Sequence, residues 1–304
     1  MKVASSQYRA RKLKSIEDFE NHVRWHVKSA ADQGAELLLL PEFFTIELLT
    51  LHQFDSKSKE DVTRIFEWFG KEYANVLNPL CGSLAREYGM TIAAGSHFAY
   101  RPADGCYYNT AFVFGADGSV HKQDKIHPSY EMVYNKELTT PGNKLDIFEI
   151  NGVKYGIAIC YDNSFPEVAR ILSQMGADII LAPTCCLDEW GQSRNILFAK
   201  ARASENQVYV INSQLIGSIP FPDHIPYGFT FTGKSGIYSP IQPMINRPNA
   251  IVSQGDANVE MVVVGDIDLD YLRFIRENGH NRNRTDMRTS FYQQYAFQTN
   301  GLGK

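Results

Sequence analysis

Three residues of complementary chemistry follow apolar or strand-like segments of this chain, namely Glu42, Lys125 and Cys160. They come after Leu-Leu-Leu-Leu-Pro, Val-His-Lys-Gln-Asp and Gly-Ile-Ala-Ile, respectively. A carboxylate, an ammonium and a thiol brought together supply a general base, a cation for a developing oxyanion and a nucleophile. This combination predicts acyl transfer. Taken singly, each residue has a simpler explanation, because most Lys and Glu side chains are solvent-exposed and buried cysteines are common.

Cys160 has the most specific local setting of the three. Residues 153–159 form a short apolar run with β-branched side chains, which is typical of a buried strand. A helix start follows, with Ser164 as N-cap, Pro166 in the first turn and Glu167 completing a capping box. We therefore expect Cys160 on a strand-to-helix turn, where unpaired N–H groups and the helix dipole lower the pKa of a thiol.

Glu42 ends a segment that predicts a strand buried on both faces. Residues 36–44 contain four consecutive leucines bounded by Gly34 and Pro41, the pattern of a strand in a sheet covered by helices. A carboxylate at the end of such a strand is costly unless it is paired or used.

The remaining periodicities predict further helices and strands around these positions. Helices are expected after Ser15, over residues 60–88 with an interruption near Asn78-Pro79, and over residues 193–205. Strands are expected at residues 2–8, 90–98, 177–183, 207–216, 233–238 and 259–267. Two hairpins are expected, joining 108–114 to 120–125 and 145–150 to 153–159. The sheet thus mixes antiparallel pairs with helix-connected strands.

Composition narrows the classes of function. The 304 residues are 44% hydrophobic and show no compositional break, so we expect one domain over residues 1–304. A net charge of -4 gives no basic field for nucleic acid or acidic membranes, and favours a small organic substrate. The five cysteines have no metal-ligand spacing, and neither a signal peptide nor a membrane span is apparent. We expect a soluble cytoplasmic protein.

The carboxyl-terminal residues 276–304 form a polar tail with scattered aromatic side chains. Such a tail has too few aliphatic residues for a core of its own. Its aromatic side chains favour a position along a neighbouring subunit, so we expect a homodimer or a higher homo-oligomer.

Several segments in a fixed order resemble the nitrilase superfamily of carbon-nitrogen hydrolases. They are Leu-Leu-Leu-Leu-Pro-Glu, Lys-Ile-His-Pro and Gly-Ile-Ala-Ile-Cys-Tyr-Asp-Asn-Ser-Phe-Pro-Glu. Supporting segments include Ala-Ala-Gly-Ser, Thr-Pro-Gly-Asn and Arg-Ala-Ser-Glu-Asn. The resemblance implies that Glu42, Lys125 and Cys160 form the family's Glu-Lys-Cys triad. It also implies a second glutamate that holds the lysine; Glu131 is preferred from its spacing, and Glu137 stays open.

The resemblance further implies an α/β fold, a four-layer α-β-β-α sandwich of two mixed sheets with helices outside. Tyr161-Asp162 resembles the amidase branches, whereas true nitrilases usually have Trp-Glu after the cysteine. We therefore expect hydrolysis of a small amide to a carboxylic acid and ammonia through a cysteine thioester. N-carbamoyl hydrolysis, nitrile hydrolysis and a non-catalytic binding subunit with the same fold are the alternatives.

Three other patterns bear on function. Cys160 paired with His121 or His127 is the rival chemistry, because cysteine nucleophiles are often paired with histidine. Residues 228–235 match a phosphate-binding loop, but the glycine and prolines that follow oppose the helix this motif requires. The histidines show no pattern such as His-Glu-x-x-His, so the sequence predicts neither a metal nor a cofactor.

Overall fold

A computed structural model describes residues 1–54, 58–129, 138–220 and 229–294 of the chain. The strands are β1 Lys2–Gln7, β2 Arg9–Ala10, β3 Leu37–Leu39, β4 Thr91–Arg101, β5 Cys106–Phe114, β6 Val120–Asp124, β7 Ile147–Ile150, β8 Val153–Ile157, β9 Ile179–Cys185, β10 Tyr209–Ile219, β11 Phe229–Phe231, β12 Gly236–Tyr238, β13 Ile251–Gln254 and β14 Met261–Asp266. The α-helices are α1 Ile16–Ala31, α2 Lys59–Glu72, α3 Leu77–Tyr88, α4 Pro166–Gln174, α5 Glu189–Asn206, α6 Leu269–Asn278 and α7 Thr289–Gln293. Short 3-10 helices lie at Phe44–Leu51, Cys160–Ser164 and Pro243–Ile245.

The strands form two mixed sheets. The first has six strands in the order β14-β1-β3-β4-β5-β6, and the second has eight, of which six follow the order β13-β12-β10-β9-β8-β7. In both sheets the central strands pair in parallel, as β3 does with β4. The hairpin strands pair antiparallel, as β7 does with β8. Parallel neighbours need a helical crossover, and α4 and α5 supply the crossovers of the second sheet.

The two sheets pack face to face with helices on their outer sides, which confirms the four-layer prediction. Alternate leucines of β3 show why: Leu37 and Leu39 pack between the sheets against side chains such as Ile179 and Leu181 of β9. Leu38 instead packs outward in the cluster that contains residues of α1, α2 and α3. The four-leucine run is therefore buried on both faces, as its composition indicated.

The predicted strand at residues 36–44 is shorter in the structure. Only Leu37–Leu39 is a strand, and a 3-10 helix begins at Phe44. Pro41 cannot donate a ladder hydrogen bond, and Phe43 has a left-handed φ of 56°. The chain therefore turns at Glu42, which forms an isolated bridge with Ser96.

Two helix boundaries also differ from the predictions. The break within residues 60–88 lies between Glu72 and Leu77, so Pro79 stands in the first turn of α3, where its missing N–H costs no helical bond. Ser164 is not an N-cap. It ends the 3-10 helix, and α4 begins at Pro166 with Phe165 as an N-cap that makes no side-chain bond.

The carboxyl-terminal part begins with a helix docked on its own chain. Leu272 and Ile275 of α6 are buried, and Arg276 donates to Asp178 at 2.6 Å. The placement of residues 276–304 at a subunit interface stays a prediction.

The phosphate-loop pattern at residues 228–235 does not lead into a helix. Residues 229–231 within the pattern and residues 236–238 directly after it form strands. In the described ranges, every helix is too short or too polar to cross a bilayer.

Candidate active site

Glu42 lies at the carboxyl end of β3 with its carboxylate fully buried. Lys125 donates to Oε1 at 2.6 Å, Asn109 Nδ2 donates to the same oxygen at 2.8 Å, and the Cys185 N–H donates to Oε2 at 3.1 Å. The buried charge is thus hydrogen-bonded at both oxygens, which is the condition under which such a group is tolerated. Gly95 permits this turn, because its φ is +52° and a Cβ there would lie 1.9 Å from the Pro41 carbonyl oxygen.

Lys125 follows β6 and is 2% exposed. Its N–H donates to the Asn109 carbonyl at 2.8 Å, and its own carbonyl accepts from the Gly142 N–H at 2.7 Å. A Cβ on Gly142 would lie 2.7 Å from the carbonyl of Asp124, so only glycine allows this approach. Burial lowers the pKa of Lys125, but the negative charges of Glu42 and Asp162 and the hydrogen bond to Glu42 raise it above its ordinary value. The ammonium therefore stays protonated.

Cys160 follows β8 and has a left-handed φ of 47°. Non-glycine residues adopt this conformation rarely, and it is concentrated at functional sites. Contact with the Cys186 thiol, burial and the Glu42 carboxylate raise the pKa of Cys160 well above its ordinary value, against a smaller opposing effect of Lys125. The prediction that a helix terminus lowers this pKa is wrong, since α4 begins only at Pro166. The resting group is a thiol, which needs a base.

The backbone of Cys185 connects the acid and the thiol. Its N–H donates to Glu42, and its carbonyl accepts from Cys160 Sγ at 3.6 Å. Cys185 ends β9, which pairs with β10 in the second sheet, whereas Glu42 follows a strand of the first sheet. The two sheets therefore meet at this point and bring their strand ends together.

Asp162 fixes the turn that carries Cys160 relative to the segment after Lys125. Its buried carboxylate accepts the N–H groups of Ile159, Ile126 and His127, at 3.3, 3.2 and 2.7 Å respectively. His127 Nδ1 also lies 2.9 Å from Oδ1. Because these donors come from both segments, Asp162 holds the nucleophile turn and the lysine segment in one arrangement.

A cavity of about 490 Å³ opens onto Cys160. Its walls come from the segment after Lys125, the 3-10 helix at Cys160, the end of β9 and the first turns of α5. Leu187 and Phe198 supply apolar surface, whereas Asp188 and Arg194 supply charge. The size and the mixed lining fit a small polar molecule with an apolar segment.

Comparison with known proteins identifies the family. The sequence profile described as Carbon-nitrogen hydrolase matches residues 2–277. The chain belongs to this family. It is 34% identical over 96% of its length to "Probable hydrolase YhcX" of Bacillus subtilis, 31% identical over 88% to a nitrilase of Pyrococcus abyssi, and 30% identical over 83% to an omega-amidase of Xenopus tropicalis. It covers 54%, 89% and 83% of those proteins, and thus about half the length of the Bacillus relative.

A solved structure supports the fold of this carbon-nitrogen hydrolase. The carbon-nitrogen hydrolase from Helicobacter pylori superposes with a TM-score of 0.78 at 23% identity, covering 98% of this chain and 99% of the other. At that identity the likeness establishes the shared fold.

The structure brings together three of the residues that the sequence singled out in this carbon-nitrogen hydrolase. Glu42 and Lys125 are in direct contact, and Cys160 reaches them through Cys185. Glu131 and Glu137 lie outside the described residues. His127 is engaged by Asp162, as expected of a structural histidine.

His121 does not line the cavity; it stacks on Phe148 with ring centroids 4.7 Å apart. The contacts of Asn109 and Asp162 were not predicted, although Asn109 lies in the predicted strand 108–114 and Asp162 stands two residues after Cys160. A buried polar residue beside a predicted strand end was the signal available for each.

Proposed function

We propose that this carbon-nitrogen hydrolase cleaves small amides through a thioester on Cys160. The observation that carries this proposal is the buried contact of Glu42 with Lys125 beside the cavity that contains Cys160. A protonated thiol, a neighbouring carboxylate and a fixed ammonium match the needs of acyl transfer. The family membership of the chain, and an omega-amidase among its relatives, support the same chemistry.

In the first half-reaction, Glu42 takes the thiol proton as Cys160 Sγ bonds to the amide carbon. The carbonyl π electrons move to oxygen, where Lys125 and the backbone N–H of Tyr161 stabilise the charge. The intermediate collapses, the C–N bond breaks, and the leaving nitrogen receives the proton from Glu42. Ammonia departs and a thioester remains.

The second half-reaction returns the site to its starting state. Glu42 takes a proton from water as the water oxygen bonds to the thioester carbon. Collapse of this intermediate breaks the C–S bond, and the proton held by Glu42 returns to the sulfur. A carboxylic acid is released. Glu131, or Glu137 in its place, is proposed to hold Lys125.

Ammonia release from a substrate panel tests this activity. The panel compares amides with N-carbamoyl compounds and nitriles. It also compares neutral amides with amides that carry a carboxylate, because Arg194 adds a cation to the cavity wall. We expect amides to give the fastest turnover, and Cys160→Ser to remove it. Cys106→Ser is the matched control, because this partly exposed cysteine does not line the cavity. Turnover of nitriles alone supports the nitrilase alternative, and no turnover of any class by folded protein supports a binding subunit.

We also propose a cytoplasmic homodimer or higher homo-oligomer. The exposed apolar side chains of Ile171 on α4 and of Trp190 and Leu197 on α5 offer a surface for a second copy, in addition to the tail. Free cysteines fit a reducing compartment. Light scattering at micromolar concentration tests the assembly, and a fully active monomer contradicts it.

A further inference from the structure

A second cluster of titratable side chains lies away from the cavity, between α1 and the start of β14. His22 and His26 stand one turn apart on α1, and Glu260 immediately precedes β14. Both histidines are buried, at 5% and 0% exposure, whereas the Glu260 side chain is 26% exposed and gives the cluster a route to solvent. None of these residues has a part in the proposed hydrolysis.

The three side chains converge on one point. His22 Nε2 lies 2.7 Å from Glu260 Oε1, and His26 Nε2 lies 3.4 Å from the same oxygen. One ligand atom from each of the three residues lies within 4.8 Å of the other two. Ligands that sit 2.0–2.1 Å from a zinc ion are about 3 to 3.5 Å apart, so small side-chain shifts suffice to admit an ion.

The other nitrogen of each imidazole is held by an oxygen. His22 Nδ1 lies 3.3 Å from Glu47 Oε1, and His26 Nδ1 lies 3.0 Å from Ser6 Oγ. Glu47 is itself fixed, because the Tyr8 hydroxyl donates to Oε1 and the Arg11 N–H donates to Oε2 at 3.1 Å. Histidine ligands of metals are oriented by outer partners of this kind, which leave Nε2 for the ion.

The charge of the surroundings also suits a cation. Two carboxylates, of Glu47 and Glu260, face the imidazoles. The guanidinium of Arg11 acts from farther away and is paired with Asp18 at 3.2 Å. A divalent ion balances both carboxylates with neutral imidazoles.

We propose that His22 Nε2, His26 Nε2 and Glu260 form a binding site for a divalent transition-metal ion of the zinc type. Two imidazoles and one carboxylate form a zinc donor set that leaves a position for water. Any proton on either Nε2 is released to solvent when the ion binds. The ion joins α1 to β14, the edge strand that pairs with β1. The site is separate from the amide chemistry. The spacing His-x-x-x-His on α1 is the signal for it in the sequence.

Metal content of the full chain tests the site. The protein is stripped with a chelator, dialysed against Zn²⁺ and measured by elemental analysis, beside Glu260→Gln, His26→Gln and the control His121→Gln. We expect one Zn²⁺ per chain and a higher melting temperature with Zn²⁺ in the parent and in His121→Gln. Ser6→Ala removes an outer partner and should lower the Zn²⁺ affinity roughly 10- to 100-fold. Glu260→Gln and His26→Gln each remove a ligand and should lower the Zn²⁺ affinity by more than Ser6→Ala does. A parent that binds no ion, or variants that bind as the parent does, overturn the proposal in favour of a protonated His22 between two carboxylates.

Cobalt spectroscopy separates this site from the cysteines and leaves all three ligands in place. The Trp25 ring lies 4.7 Å from the His26 ring, so Co²⁺ bound to the cluster should quench Trp25 fluorescence in the parent. Trp25→Phe should remove that quenching. A thiolate-to-cobalt charge-transfer band, or quenching unchanged by Trp25→Phe, places the ion elsewhere and overturns the assignment.

Discussion

The ammonium of Lys125 lies 2.6 Å from the carboxylate of Glu42, and the two side chains are 2% and 0% exposed. Eighty-three positions separate them in the chain, so the contact depends on the assembly of β3, β4, β5 and β6. Removal of one partner from a buried pair leaves an uncompensated charge, which typically costs about 3–5 kcal/mol. The pair thus links the stability of the fold to its proposed chemistry.

A double-mutant cycle tests this link. We predict that Glu42→Gln and Lys125→Met each lower the free energy of unfolding by several kcal/mol, and that the double variant loses less than their sum. Urea unfolding gives the three values. The exposed pair of Lys28 with Asp32 has the same 2.6 Å separation and is the control, where Lys28→Met should change little. Strictly additive losses at the buried pair would contradict the coupling.

Lys125→Met should lower turnover by at least about a hundredfold, the usual effect of losing one donor to an oxyanion. Lys125→Arg should not restore it fully, because a planar guanidinium cannot replace a compact ammonium in this space. Steady-state kinetics on the best amide of the panel provides the measurement. Near-normal turnover by folded Lys125→Met protein would show that the lysine has only a structural role.

Glu42→Gln should separate hydrolysis from simple thiol reactivity. Loss of the base should lower amide turnover at least about a hundredfold. The carboxylate raises the pKa of Cys160, so its removal shifts that pKa downward and makes thiolate more abundant at neutral pH. Iodoacetamide should therefore alkylate Cys160 faster in Glu42→Gln than in the parent, as followed by peptide mapping. If alkylation slows as much as hydrolysis does, Glu42 acts by positioning the thiol rather than as the base.

Asp162 is expected to act by positioning rather than by contact with the substrate. Asp162→Asn should therefore lower turnover indirectly. One oxygen is replaced by an NH₂ group, which cannot accept the N–H groups that the carboxylate now binds. We expect a fall in kcat larger than the change in KM, together with about 1–3 kcal/mol of lost stability. Asp146→Asn is the control, since that side chain pairs with Lys144 at the surface. Loss of stability with kcat unchanged would limit Asp162 to a structural role.

The layers and the strand-end residues were predictable because they depend on local pattern. The run Leu37–Leu39 is apolar on both faces, and this requires cover on both sides. The Asn151-Gly152 turn between two apolar segments also located the hairpin of β7 and β8. Glu42, Lys125 and Cys160 were singled out because each polar residue follows an apolar or strand-like segment.

Properties that depend on contacts between distant parts of the chain could not be predicted from the sequence. Local rules predicted a lowered pKa for Cys160, but the contact with the Cys186 thiol, burial and the carboxylate of Glu42, which follows a strand of the other sheet, raise it. The four donors to Asp162 come from two separated segments, so its role could not be inferred from its neighbours. Likewise, residues 164–167 have the sequence pattern of a capped helix start, but Ser164 is not the N-cap in the structure. Asp162 fixes the turn instead.

Cys160 is proposed to form the acyl-enzyme. Intact-mass and peptide mass spectrometry of protein quenched during amide turnover test this assignment. We predict one acyl adduct per chain, on the peptide that contains Cys160, and none in Cys160→Ser. Cys185 and Cys186 line the same cavity and are the sensitive internal comparison. An adduct on either of them, or turnover that persists in Cys160→Ser, would contradict the assignment of Cys160 as the nucleophile.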